Sequence, residues 1–239
     1  MNVHTTIIAK APVAGLVKTR LCPPCTFERA AEIALAAFTD TIDAINTITG
    51  ITSTRRTLLL DGARQPWMPD DYAIVAQRGD GLGERLRNGF ADLGPGVITG
   101  METPHVAHLL ADAIDHVRRG ADVIGLAEDG GYWMIGLSLR TVTKIDAVFG
   151  GIPTGVSTTG ALQLQRLREV GDQVVSLPTA RDLDTIDDLC AIADSGRPGR
   201  LAALASDTVR ALVAAGEWTR ETKGSPIGSP PRPGSRRGG

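Results

Sequence analysis

The sequence predicts an α/β fold with three layers, helices on both faces of a mostly parallel sheet. Three observations predict it. Short apolar runs with β-branched residues alternate with longer stretches whose apolar residues recur at helical spacing. The first of those runs is short and rich in β-branched residues, as a buried strand can be. The composition is that of a globular chain: 42% hydrophobic, 22% charged, with a formal charge of −2 over 239 residues. That balance excludes a wholly disordered chain and a protein that coats nucleic acid by electrostatics alone.

The elements follow in order. Residues 3–9 read as the buried strand. Thr26 can cap a helix over 27–48, where apolar Ala31, Ile33, Ala34, Leu35, Phe38, Ile42 and Ile45 recur at helical spacing. Residues 56–60 form a strand ended by Asp61-Gly62, and 72–76 another. A helix over 82–93 stops at Gly94-Pro95-Gly96. Residues 97–101 are a strand, and Pro104 suits the first turn of a helix that runs to Gly120. Strands follow at 123–127 and 132–137, a helix at 159–170, a strand at 173–177, and helices at 186–193 and 201–214.

One domain over residues 1–218 accounts for these elements. From about 219 the composition turns to Gly, Pro, Ser and Arg, which cannot bury enough to offset ordering, so 219–239 is expected to be disordered. From Glu217 onward five cations and two acids give a net +3, which leaves −5 for the rest. Three cysteines make no disulfide framework, and no run is long enough to span a membrane. A cytoplasmic setting is the expectation. Cys22 and Cys25 have C-x-x-C spacing without a second pair, and His105, His108 and His116 are expected on a solvated helix face.

In parallel sheets ligands bind beyond the carboxyl ends of the strands, so the segments there hold the candidate site. After the first strand, Lys10, Lys18 and Arg20 with Gly15 form a basic loop suited to phosphate oxygens. It is neither a Walker loop nor the G-x-G-x-x-G fingerprint. After the third strand, Gly79-Asp80-Gly81 opens a helix and offers a second close approach for an anion or sugar, or a plain capped turn. Glu102, after the fourth strand, can hold a hard divalent cation or stabilise its own helix dipole. Glu128-Asp129-Gly130-Gly131 can ligate metal, orient a hydroxyl, or simply close a hairpin. Asp184 or Thr185 can cap a helix that carries Asp187 and Asp188 in its first turn, and acids here can also bind metal. No Gly-x-Ser-x-Gly elbow supports a serine hydrolase.

Together these segments resemble the DUF2064 family, a group expected to be glycosyltransferases of the GT-A, nucleotide-diphospho-sugar transferase-like, superfamily. The residues that carry the resemblance are Ala9-Lys10-Ala11-Pro12 with Gly15 and Lys18-Thr19-Arg20-Leu21, then Arg78-Gly79-Asp80-Gly81-Leu82-Gly83-Glu84-Arg85. Gly100-Met101-Glu102-Thr103-Pro104, Glu128-Asp129-Gly130-Gly131-Tyr132-Trp133, Phe149-Gly150-Gly151-Ile152-Pro153 and Asp182-Leu183-Asp184-Thr185 follow in the family's order. The resemblance covers about residues 3–205. It implies a nucleotide over the first loop and Mg²⁺ or Mn²⁺ on acids at strand ends, a layout shared with cofactor guanylyltransferases. Two positions depart from the family: Glu102 stands where Asp is usual, and Leu126 where Pro is common. The extra methylene of Glu102 moves its carboxylate by about one bond length, which matters to an ion that demands octahedral geometry.

The resemblance thus implies a metal-dependent glycosyltransferase with a nucleotide-sugar donor and a small-molecule acceptor. Lys10, Gly15, Lys18, Arg20, Gly79, Asp80 and Gly81 would hold the nucleotide. Glu102, Asp129 and Asp184 would hold the metal, with Asp129 and Lys18 as catalytic groups. The alternatives are a nucleotidyltransferase that uses a nucleoside triphosphate and a phosphorylated metabolite, and a nucleotide-binding protein whose catalysis is impaired by Glu102.

Overall fold

Parallel strands need a crossover between them, and the sequence supplies a helix or a long connection between most of its strands. A computed structural model describes residues 3–48 and 55–219. Its strands are β1 (His4–Lys10), β2 (Arg55–Asp61), β3 (Ala73–Ala76), β4 (Gly96–Gly100), β5 (Asp122–Ala127), β6 (Tyr132–Leu137) and β7 (Val174–Ala180). They form one seven-stranded sheet in the order β3-β2-β1-β4-β6-β5-β7. β6 runs antiparallel to β4 and β5, and every other pairing is parallel. The exception has a local cause: only residues 128–131 separate β5 from β6, too few for a crossover.

The helices are α1 (Phe27–Thr47), α2 (Leu82–Leu93), α3 (Leu110–Arg118), α4 (Leu139–Val142), α5 (Ile145–Phe149), α6 (Thr159–Val170), α7 (Ile186–Asp194) and α8 (Arg200–Ala214). Strand alternation assigns them to layers. Leu58, Leu60, Val97 and Val123 pack with Phe38 and Ile42 of α1 and with Ile114 and Val117 of α3. Their neighbours Leu59, Ile98 and Ile124 face the other way, onto Leu86 and Phe90 of α2, Phe149 of α5 and Leu167 of α6. A third cluster joins Ile33 and Ala37 of α1 to Leu189 of α7 and Leu201, Ala205 and Val209 of α8. The three-layer α/β architecture expected from the sequence is therefore present, with α7 and α8 outside α1. Each fully buried side chain such as Phe38 or Phe90 contributes about 1.5–3 kcal/mol.

Differences from the expected elements have local reasons. The helix expected from Pro104 is split: Pro104–Leu109 is a 3-10 turn, and the α-helix begins at Leu110. No side chain caps the turn, and Val106 and Ala107 are buried against the core that α1 covers. The 3-10 turn Thr19–Leu21 and helices α4 and α5 are too short to show a period. β7 runs through Pro178, which an edge strand tolerates. Thr26 caps α1 as expected, its hydroxyl accepting from Arg29 N at 3.2 Å. Among the described residues no helix is long and apolar enough to cross a membrane. Apart from Thr219, the tail expected to be disordered lies outside the described residues.

Candidate functional site

The carboxyl ends of the six parallel strands and the start of β6 share one edge of the sheet, and a cleft of about 490 Å³ opens there. Lys10 reaches it from the end of β1, and Lys18 and Arg20 from the loop that follows. Glu102 enters from the exit of β4, and Asp182 and Asp184 from the exit of β7. Cations from the amino-terminal part of the chain thus meet acids more than eighty residues away.

The contacts are specific. The Lys18 side chain is 5% exposed, pairs with Glu102, and donates to the Leu183 carbonyl; Asp184 Oδ1 lies 4.0 Å from its nitrogen. Arg20, exposed, pairs with Asp184 Oδ2. Lys10, also exposed, has no ion-pair partner among the described residues and is the cation most available to a ligand. Asp182 is half-buried, and burial pushes its carboxyl up to about 6, with the charges of Asp129 and Glu102 adding to the rise. Its position in the Asp182-Leu183-Asp184-Thr185 motif was visible in the sequence, but its facing partners were not. Among the described residues, no three carboxylate, thiol or imidazole groups converge closely enough to form a ready-made metal cage.

Other candidates serve the chain itself. Gly15, Gly79 and Asp80 are not among the residues lining the cleft, whereas Gly81 is. In the Gly79-Asp80-Gly81 segment, read as a close approach for an anion or sugar or as a plain turn, the Asp80 N–H donates to Glu84 Oε2 at 2.9 Å. Gln77 pins this loop, donating to the Ala9 and Leu59 carbonyls at 2.7 and 2.9 Å and accepting from Arg85. Arg85 lines the cleft, but its guanidinium also donates to Asp61 Oδ2 at 2.9 Å.

The segment after β5 is the hairpin the sequence allowed. Gly130 N donates to the Ala127 carbonyl, and Asp129 Oδ1 accepts from Gly131 N at 2.7 Å. Its glycines admit the chain's own backbone. Gly130 has φ 90°, and a Cβ there would overlap the Ser157 carbonyl oxygen; Gly160 N donates to the Gly130 carbonyl at 2.8 Å. Asp129 is near enough to act on Arg20 and Asp182 electrostatically without lining the cleft. A register shift at Gly125, whose Cβ would overlap the Trp133 ring, precedes this turn, as bulges often do beside functional sites.

Thr185, not Asp184, caps α7, in a capping box with Asp188. That leaves Asp184 free to face Arg20 and Lys18. Cys22 and Cys25, despite their C-x-x-C spacing, are not joined by a disulfide, and burial pushes the Cys25 thiol up to about 11. The solvated histidine face is corrected at His105: burial, with Arg197 nearby, lowers its pKa to about 4, while His108 is exposed.

This arrangement matches known proteins in part of the sequence and in fold. Residues 45–156 match the DUF2064 model, described as an uncharacterized protein conserved in bacteria. The resemblance read from the motifs is shown over that segment, which contains Gly79 to Arg85, Glu102 and the 128–131 turn. No curated protein matches the chain. A "putative nucleotide-diphospho-sugar transferase" from Desulfovibrio desulfuricans G20 superposes with a TM-score of 0.77 at 24% identity, over 90% of this chain and 98% of that one. A Mycobacterium sp. strain JC1 homologue of Mycobacterium tuberculosis Rv0371c gives 0.51 at 16% identity, over 86% and 99%. At these identities the likeness is one of fold: the sheet and its layers are those of the nucleotide-diphospho-sugar transferase fold, as the sequence led us to expect.

Proposed function

We propose that the chain is a metal-dependent glycosyltransferase that uses a nucleotide-sugar donor and a small-molecule acceptor. The observation that carries this reading is the cleft itself, where Lys10, Lys18 and Arg20 face Glu102, Asp182 and Asp184 at the carboxyl edge of the sheet. A diphosphate needs the first set, and a hard cation that accompanies it needs the second. The fold shared with a protein described as a nucleotide-diphospho-sugar transferase supports it.

The donor set fits such a cation. Glu102, Asp182 and Asp184 line the cleft and offer oxygen alone. When bound, Mg²⁺ or Mn²⁺ would be held by Glu102 and Asp184, with Asp129 close by, and would offset charge on the departing nucleoside diphosphate. Lys10 and Arg20 hold the diphosphate oxygens, and Lys18, within reach of the same space, steadies the leaving group. The first turn of α2, opened by Gly81, lines the same cleft. Asp129, on its tight turn, orients an acceptor hydroxyl and accepts its proton.

A thermal-shift screen of UDP, GDP, ADP, dTDP and CDP sugars with Mg²⁺ and Mn²⁺ tests the reading. Ligand at about 100 times Kd adds about 2.7 kcal/mol of apparent stability. A flat response to every nucleotide overturns the proposal. Release of pyrophosphate from a nucleoside triphosphate, rather than of a nucleoside diphosphate from the sugar donor, converts it to nucleotidyl transfer.

A further inference from the structure

Lys18 is the one non-glycine residue with positive φ among the described residues, at 50°. A left-handed lysine is strained and persists only where its surroundings over-determine it. Here the surroundings are oxygens. The ammonium, almost wholly shielded from solvent, contacts the Glu102 carboxylate and the Leu183 carbonyl and lies 4.0 Å from Asp184 Oδ1. These come from two distant segments, the exit of β4 and the exit of β7. Two carboxylates and a carbonyl around one positive charge is the environment that oxygen ligands give a small hard cation.

We infer that the Lys18 ammonium and a divalent cation are mutually exclusive occupants of the Glu102–Asp184 position. Lys18 therefore acts as a built-in counter-ion that leaves only when a nucleotide's phosphates offer it another partner. The inference rests on the reading above, in which those phosphates bind beside Lys10 and Arg20.

The physical reason is repulsion. A second positive charge cannot sit beside a shielded ammonium a few ångströms away without losing most of what the carboxylates offer. Without Lys18, the carboxylates of Glu102 and Asp184 would lose the positive charge that lies between them. Glu rather than Asp at 102 supplies the length to reach the ammonium. Phosphate oxygens that draw Lys18 away free Glu102 and Asp184 together. Linkage then makes the effect reciprocal: nucleotide tightens metal binding, and metal tightens nucleotide binding, by the same factor. Lys18 is thus a positioning residue for the metal as well as a phosphate ligand.

The test is Mn²⁺ binding, followed by the electron paramagnetic resonance signal of the free ion, with no nucleotide present. The wild type is expected to bind Mn²⁺ weakly. Lys18→Gln, which removes the charge but keeps most of the length, should bind it about tenfold or more tightly, within the range usual for coupled sites. Lys18→Arg should stay weak. Glu102→Asp, whose carboxylate falls short of the ammonium, should tighten as Lys18→Gln does. It also decides the matter if Lys18→Gln does not fold. Equal, tight Mn²⁺ binding by the wild type, Lys18→Gln and Glu102→Asp overturns the inference and leaves the proposed function standing. No Mn²⁺ binding by any of them, even with a nucleotide-sugar that shifts the melting temperature, overturns both.

Discussion

Asp182 bears a cost that burial imposes and neighbouring carboxylates increase. Its carboxyl is held near 6 by burial first and by Asp129 and Glu102 next, against an ordinary value of 3.8. A raised folded-state pKa in a carboxylate means stability is lost as pH rises from the unfolded value through the folded one. Asp182→Asn should therefore raise Tm at pH 7, by about 2 °C or more, and leave it unchanged at pH 4. Under the proposed function the same change should lower metal-supported turnover by about tenfold or more, the usual cost of removing a group that supports metal ligands. Differential scanning calorimetry beside a steady-state assay separates the two effects. Lys10, exposed and without an ion-pair partner among the described residues, gives a simpler expectation: Lys10→Ala weakens nucleotide-sugar binding by about tenfold or more, read by titration calorimetry, with Tm unchanged. Much of this chemistry was legible residue by residue. Lys18, Arg20, Glu102 and Asp184 could be picked out because cations and acids stood directly after strands. The prominence of Asp182 over Asp80 could not, because it depends on which charges face each carboxylate from other segments.

Among the elements, the β5–β6 hairpin shows how one motif serves two ends. Its glycines were read as room for a ligand or as a tight turn, and the structure shows the turn. Gly130 is needed for its φ of 90° and for the Ser157 backbone that lies against it. Gly130→Ala should destabilise the fold by about 3 kcal/mol or more, since backbone strain and a steric overlap arise together. Chemical denaturation measures this, and an alanine variant as stable as the wild type would contradict the described packing of the hairpin on the segment before α6. The same contact explains why Asp129 keeps its place: its carboxylate is tied to Gly131 N by the turn it helps to form. Long helices and buried strands were legible because their periodicity extends over many residues. The short α4 and α5, and the 3-10 turns, were not, because their form is imposed by packing.

For the whole molecule, acid stability depends on neutral histidines. His4, fully buried in β1, donates from Nε2 to the Gly94 carbonyl at 3.1 Å and accepts from the Thr6 hydroxyl at Nδ1, 2.8 Å away. Burial lowers its pKa from 6.5 to about 4. A depressed pKa in a histidine means the stability is complete above 6.5 and is lost as pH falls from there toward 4. At about 1.4 kcal/mol per pH unit this group alone removes about 3 kcal/mol. His105 adds to the loss, while Asp182 and Asp122, both with raised values, offset part of it. The stability difference between wild type and His4→Gln should therefore narrow as pH falls from 7 to 4. A difference independent of pH would show that His4 is not buried as the neutral ring.

By itself the sequence determined the class of fold, the span of its long elements and the charged residues that follow the strands. These follow from local rules: side-chain periodicity, capping residues, and the placement of charge next to apolar runs. Only the tertiary structure decided that Asp182 faces Asp129 and Glu102, that the Gly130 turn lies against the Ser157 backbone, and that Lys18 lies among carboxylates. Such outcomes turn on which groups approach from distant parts of the chain. Burial and Coulomb interaction act through space and leave no signature in a local pattern.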